Sequence, residues 1–138
     1  MKVNYITLYS VDLTSHETYH MAEGKTCDTV KTHVLCLETD SGLKGWGEVC
    51  PIPHYLPAFA DGVPNAIREM APEILGISPI GIDAPMRKLD EFLQGHNYAK
   101  SIVDMALWDL YGKLSLIHIS EPTRLLSISF AGFCVKKK

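Results

Sequence analysis

A chain of 138 residues with 46% hydrophobic and 21% charged residues has the proportions of an ordinary globular domain, which excludes a disordered tail. Its net charge of -3, from 13 Lys and Arg against 16 Asp and Glu, argues against a nucleic-acid partner, because phosphate binding demands concentrated cations. No apolar run approaches the roughly 20 residues that cross a bilayer, and Met1 to Tyr5 opens no cleavable leader, so no membrane partner and a cytoplasmic location are expected.

The length supports one modest core, far below the roughly 250 residues of a TIM barrel. Cys27, Cys36, Cys50 and Cys134 are too few and too widely spaced for a disulfide scaffold or a CxxC site; they read as reduced, mostly buried thiols.

The first half predicts strands. Val3 to Leu13 mixes β-branched and aromatic residues in partial alternation, and Thr32 to Thr39 continues the pattern. Asp40-Ser41-Gly42 offers an Asx side chain followed by a residue free to take positive φ, so Leu43 to Val49 should fold back antiparallel on Thr32 to Thr39. Gly45 and Gly47 flank Trp46, which suggests a close backbone approach or a bulge, with Trp46 read as a core residue in preference to a ligand contact. Cys50 to Pro57 carries three prolines and must be a stiff loop.

Helices follow. Pro64 to Leu75 carries a stripe of Ile67, Met70, Ala71 and Ile74, ending near Gly76, with Pro72 a kink or a boundary. A shorter helix is predicted from Asp83, as N-cap, to about Leu93. The third begins near Asn97, puts Ala99, Ile102, Val103, Ala106 and Leu110 on one face and ends at Lys113, a favourable charge for that terminus. Strands first and helices afterwards imply an α+β domain, three strands and then about three helices, rather than alternating βαβ units.

After Lys113 the text changes character. Residues 114–138 resemble the conceptual translation of a sequencing-library adapter: Leu114 to Arg124 match its constant part, Leu125 to Ser127 a variable index, and Ile128 onward a primer site. Phe130, Gly132 and Val135 depart from that translation, each by one base change. The other reading is a divergent C-terminus with a short strand around Leu125 to Phe133. The division expected is therefore 1–113 as the domain and 114–138 as a non-native tail, without which the chain has six more Asp and Glu than Lys and Arg.

Three stretches, Glu38 to Pro51 (ETDSGLKGWGEVCP), the Met70-Ala71-Pro72 helix and Gly95 to Lys113 (GHNYAKSIVDMALWDLYGK), resemble the N-terminal capping domain of the enolase superfamily, within its mandelate racemase and muconate lactonizing enzyme group. The GHNYAK and GWGExCP stretches are most similar to those of hydroxyproline-betaine epimerases and cis-3-hydroxyproline dehydratases. This resemblance implies a three-stranded antiparallel meander followed by about three helices, a lid over a catalytic TIM barrel that is expected to be absent here, with two loops closing on a small-molecule carboxylate substrate, here Tyr19 to Thr26 and Cys50 to Pro57. It also implies a Mg²⁺-dependent parent, a homo-oligomer, that abstracts the proton α to a carboxylate. Its acidic ligands and acid/base residues lie on the barrel, so this fragment should bind no metal, carry no catalytic residue and be inactive alone.

What remains is substrate recognition. Tyr55 matches an aromatic position of the betaine and hydroxyproline relatives, where a ring face attracts a cationic nitrogen; its other reading is a hydrophobic plug. His54 and Tyr19 are further candidates. Asp104 and Asp109 lie five apart on one helix and read as structural or interdomain contacts, and His16 and His20 as a solvated pair rather than metal ligands. The competing readings are a sugar-acid dehydratase or dipeptide epimerase fragment, or a non-catalytic domain docking through an exposed Ile102, Val103 and Ala106 face.

Overall fold

The computed structural model describes residues 1–52 and 59–115. Three strands, β1 (Val3–His20), β2 (Thr26–Thr39) and β3 (Lys44–Val49), precede three helices, α1 (Gly62–Ile74), α2 (Asp83–Phe92) and α3 (Asn97–Ser115). The sheet is antiparallel in the order β1-β2-β3, the α+β meander the sequence implies.

The β2–β3 hairpin closes as its residues dictate. Gly42 takes φ 81°, a conformation that costs a residue without Cβ least, and the Thr39 N–H donates to the Leu43 carbonyl at 2.9 Å. The β1–β2 pair is longer than expected, because β1 runs seven residues past Leu13 and β2 begins six before Thr32. Those additions are mostly Thr, Ser, His, Glu and Asp, so they carry no apolar alternation that would announce a strand. A register slip between Thr14 and Tyr19 marks a wide irregularity in this ribbon.

Gly45 and Gly47 are where the helical layer meets the sheet. A Cβ on Gly45 would collide with the Ala106 carbonyl and the Leu110 side chain, and one on Gly47 with the Ile102 carbonyl. The close-approach reading therefore holds, and α3 lies directly on β3. Consequently Ile102, Val103 and Ala106 are wholly buried, which overturns their reading as an exposed docking face. The exposed large apolar side chains of α3 are instead Met105, Trp108 and Leu114.

Trp46 also differs from expectation. Strand alternation sends the glycines inward and Trp46 outward, so it is 43% exposed and stacks on Tyr9 of β1 with ring centroids 6.4 Å apart. Of the described cysteines only Cys36 is buried; Cys27 and Cys50 are half-buried.

Inside, Leu35 and Leu37 of β2 meet Met70 and Ile74 of α1, Leu89 of α2, and Ile102, Leu107 and Leu110 of α3. Gly76, at φ 87°, ends α1 as predicted, and Pro72 lies within the helix on its exposed side, where water can satisfy the carbonyl it cannot serve. The Val3 N–H donates to the Ile77 carbonyl and the Gly76 N–H to that of Val3, both at 2.8 Å, which stitches the end of α1 to the start of β1. In α2, Asp83 is the first helical residue rather than the N-cap; Ile82 occupies that place without a side-chain bond.

Candidate functional site

The two candidate substrate loops leave the sheet at one end. Between β1 and β2 the connection is shorter than predicted: strand pairing continues through Tyr19 opposite Cys27 and His20 opposite Thr26, leaving Met21 to Lys25 as the turn, with one 3₁₀ turn at Ala22–Gly24. Tyr19 is therefore a strand residue, 66% exposed. His16 and His20 both lie on exposed β1, where a spacing of four residues spans about 13 Å, so they make no chelating pair.

The second loop begins after Val49 and ends at α1. His54 and Tyr55 lie outside the described residues. Both stems of that loop are held by consecutive residues of β2. Buried Thr32 donates its hydroxyl proton between Glu48 Oε1 at 2.8 Å and the Val49 carbonyl at 3.2 Å. His33, wholly buried, places Nε2 at 2.7 Å from the Ala60 carbonyl and Nδ1 at 2.8 Å from Ser10 Oγ. A carbonyl only accepts, so Nε2 carries a proton, and in the neutral ring Nδ1 accepts from the Ser10 hydroxyl. Lys31 completes the set with an ion pair to Asp61 at 2.7 Å. That hydrogen bond, with the attraction between the charges, pulls the Asp61 carboxyl below its usual range and pushes the Lys31 ammonium up.

Beside the α1 stem, Phe59, Gly62 and Val63 face His96, Asn97 and Tyr98 across a cleft of about 500 Å³. Two helix N-termini open onto it. His96 and Asn97 are exposed there, and His96 takes φ 54°.

The acidic residues of α3 do structural work. Asp109 Oδ2 accepts from the Trp46 N–H at 2.8 Å and from Lys113 Nζ at 2.6 Å, and Lys113 also donates to the Lys44 carbonyl at 2.8 Å. One carboxylate thus ties the end of α3 to β3. Asp104 is half-buried; desolvation pushes its carboxyl up, a hydrogen bond from Trp108 opposes this and the nearby Asp83 charge adds to it. Between the helices, Lys100 is buried and paired with Asp90 at 2.8 Å. Among the described residues no three His, Cys, Asp or Glu side chains converge into a group that could hold a metal ion, so these residues do not fit a magnesium site. No helix among them is long and apolar enough to cross a membrane.

Sheet, glycine-floored helix and paired loop stems define a capping domain of the enolase type. Residues 5–121 match the profile of the mandelate racemase / muconate lactonizing enzyme N-terminal domain, and the chain belongs to that family. It is 41% identical over 115 residues to a cis-3-hydroxy-L-proline dehydratase from Roseibium aggregatum, a match covering 82% of this chain and 31% of the relative. A mandelate racemase/muconate lactonizing enzyme from Roseovarius nubinhibens superposes with a TM-score of 0.79 at 34% identity, covering 83% of this chain and 31% of the other. A dipeptide epimerase from Enterococcus faecalis, solved with Mg and the dipeptide L-Leu-L-Tyr, gives a TM-score of 0.77 at 25% identity, covering 83% and 32%. The chain spans about a third of the length of these relatives.

Proposed function

We propose that this chain is the substrate-capping domain of a Mg²⁺-dependent dehydratase or epimerase that removes the proton α to a carboxylate of a proline-type amino acid or its betaine. The observation that carries the reading is the 41% identity with the cis-3-hydroxy-L-proline dehydratase over 115 residues, 82% of this chain. In this reading the domain contributes recognition rather than chemistry. Tyr55 offers its ring face to the substrate's cationic nitrogen, with His54 and Tyr19 beside it. The metal and the acid/base groups belong, in this reading, to a barrel following the domain. The parent is read as a cytoplasmic homo-oligomer and the 138-residue chain as inactive alone.

Residues 114–138 are read as adapter-derived. The family match running to residue 121 stands against a junction at Lys113. Resequencing the locus resolves this: a continuing frame with a Gly-x-Pro stretch, a Lys-x-Lys pair and three spaced acidic residues supports the enzyme reading, and their absence removes it. Assays of the full gene product with Mg²⁺ on cis-3-hydroxyproline, proline betaine, acid sugars and dipeptides then separate the substrate classes. Turnover on dipeptides alone would favour the second reading, which the epimerase relative supports. Mg²⁺-supported turnover by the purified 138-residue chain would overturn the capping-only role.

A further inference from the structure

We infer that Lys31, Thr32 and His33 form a clamp fixing both stems of the segment between β3 and α1, with His33 its positioning residue. Thr32 holds the stem leaving β3 through Glu48 and the Val49 carbonyl; His33 and Lys31 hold the stem entering α1 through the Ala60 carbonyl and Asp61. Three adjacent positions on one strand thus set the separation between the two ends of a loop. The functional weight of this clamp rests on the reading of Cys50 to Pro57 as a substrate-closing loop.

The chemistry of the His33 position favours this role over simple packing. Its inward-facing neighbours along β2 are Leu35 and Leu37, both wholly buried, and an aliphatic residue there would fill space without a polar debt. A buried imidazole is tolerated only if both nitrogens find partners. Those partners lie on different elements, Ser10 on β1 and Ala60 beyond β3, so the ring joins the sheet to the start of α1.

The two arms of the ring can be separated. In His33→Gln the carboxamide nitrogen reaches the place of Nε2 and keeps the Ala60 bond; in His33→Asn the shorter carboxamide keeps only the Ser10 bond. Amide hydrogen exchange on the 138-residue chain reads the result at Gly62 and Val63, whose N–H groups donate to the Phe59 and Ala60 carbonyls. The clamp requires about tenfold faster exchange there in His33→Asn and restoration to within about twofold of the parent in His33→Gln, while Leu35 and Leu37 respond alike in both. Equal acceleration by both variants, or none by either, overturns it.

If neither His33 variant folds, Lys31→Met decides, because the Lys31–Asp61 pair is exposed enough to be lost without unfolding. About threefold faster exchange at Gly62 supports the clamp, and unchanged exchange overturns it. The readout needs no substrate. Confirmed exchange differences alongside a full gene product whose KM is indifferent to His33→Asn would leave the clamp standing and remove the substrate-facing reading of the loop.

Discussion

The two ends of the β1–β2 pair live under different rules. Near the β2–β3 hairpin the strands have a third partner and a helix pressed onto them, and the inward side chains are dry. Beyond Ser10 and His33 they run on as a two-stranded ribbon on which every β1 residue is exposed. The difference lies in cover rather than in strand propensity. Two glycines let α3 settle on β3, and β3 ends opposite His33, so the ribbon beyond relies on backbone pairing and a few cross-strand contacts.

That contrast can be broken at the covered end. Leu107→Ala opens a cavity under α3 and should cost about 3 kcal/mol in urea unfolding. Gly47→Ala tests the seam: its Cβ meets a backbone carbonyl, which has no rotamer to retreat to, so a loss of about 2 kcal/mol is expected. A Gly47→Ala protein as stable as the parent would show that α3 can ride higher on the sheet. Asp109→Ala removes the acceptor shared by Trp46 and Lys113 and should cost about 1 kcal/mol by the same measurement. At the uncovered end Leu13→Ser, 46% exposed in the parent, should change stability by less than about 0.5 kcal/mol.

Protonation sharpens the picture on the outer side of α3. Asp104 has a raised folded-state pKa, so above the ordinary aspartate range the native state holds this proton more tightly than the unfolded chain does. Its contribution to stability is present below the unfolded value and is lost as pH rises through the folded one. Asp104→Asn should flatten that fall in a series of unfolding curves taken from acid to neutral pH. An identical pH dependence in variant and parent would assign the titration to another group.

Legibility in the sequence followed the same division. The hairpin at Asp40-Ser41-Gly42, a close backbone approach at Gly45 and Gly47, though not its partner α3, and the end of α1 near Gly76 were readable because each depends on a local steric requirement. The outer half of β1 was not, because its Thr, Ser, His and Glu residues have no core to alternate against. The size of Trp46 argues for burial, whereas its two glycine neighbours claim the inward face and turn the ring outward. At the candidate site the sequence places Tyr19 in a loop, whereas it pairs with Cys27 on the ribbon, and His54 and Tyr55 lie outside the described residues. The role of His33 is not legible in the sequence: an imidazole within Thr-His-Val-Leu signals a buried polar group, yet its partners, 23 and 27 residues away, appear only once the chain is folded.

The unequal strand lengths give the ribbon mechanical leverage. Six residues of β2 from Thr32 back to Thr26 span about 20 Å at the usual rise, so each degree of swing at the ribbon's base carries its tip about a third of an ångström sideways. Small angular adjustments where the third strand stops thereby become excursions the size of an atom at Met21 to Lys25.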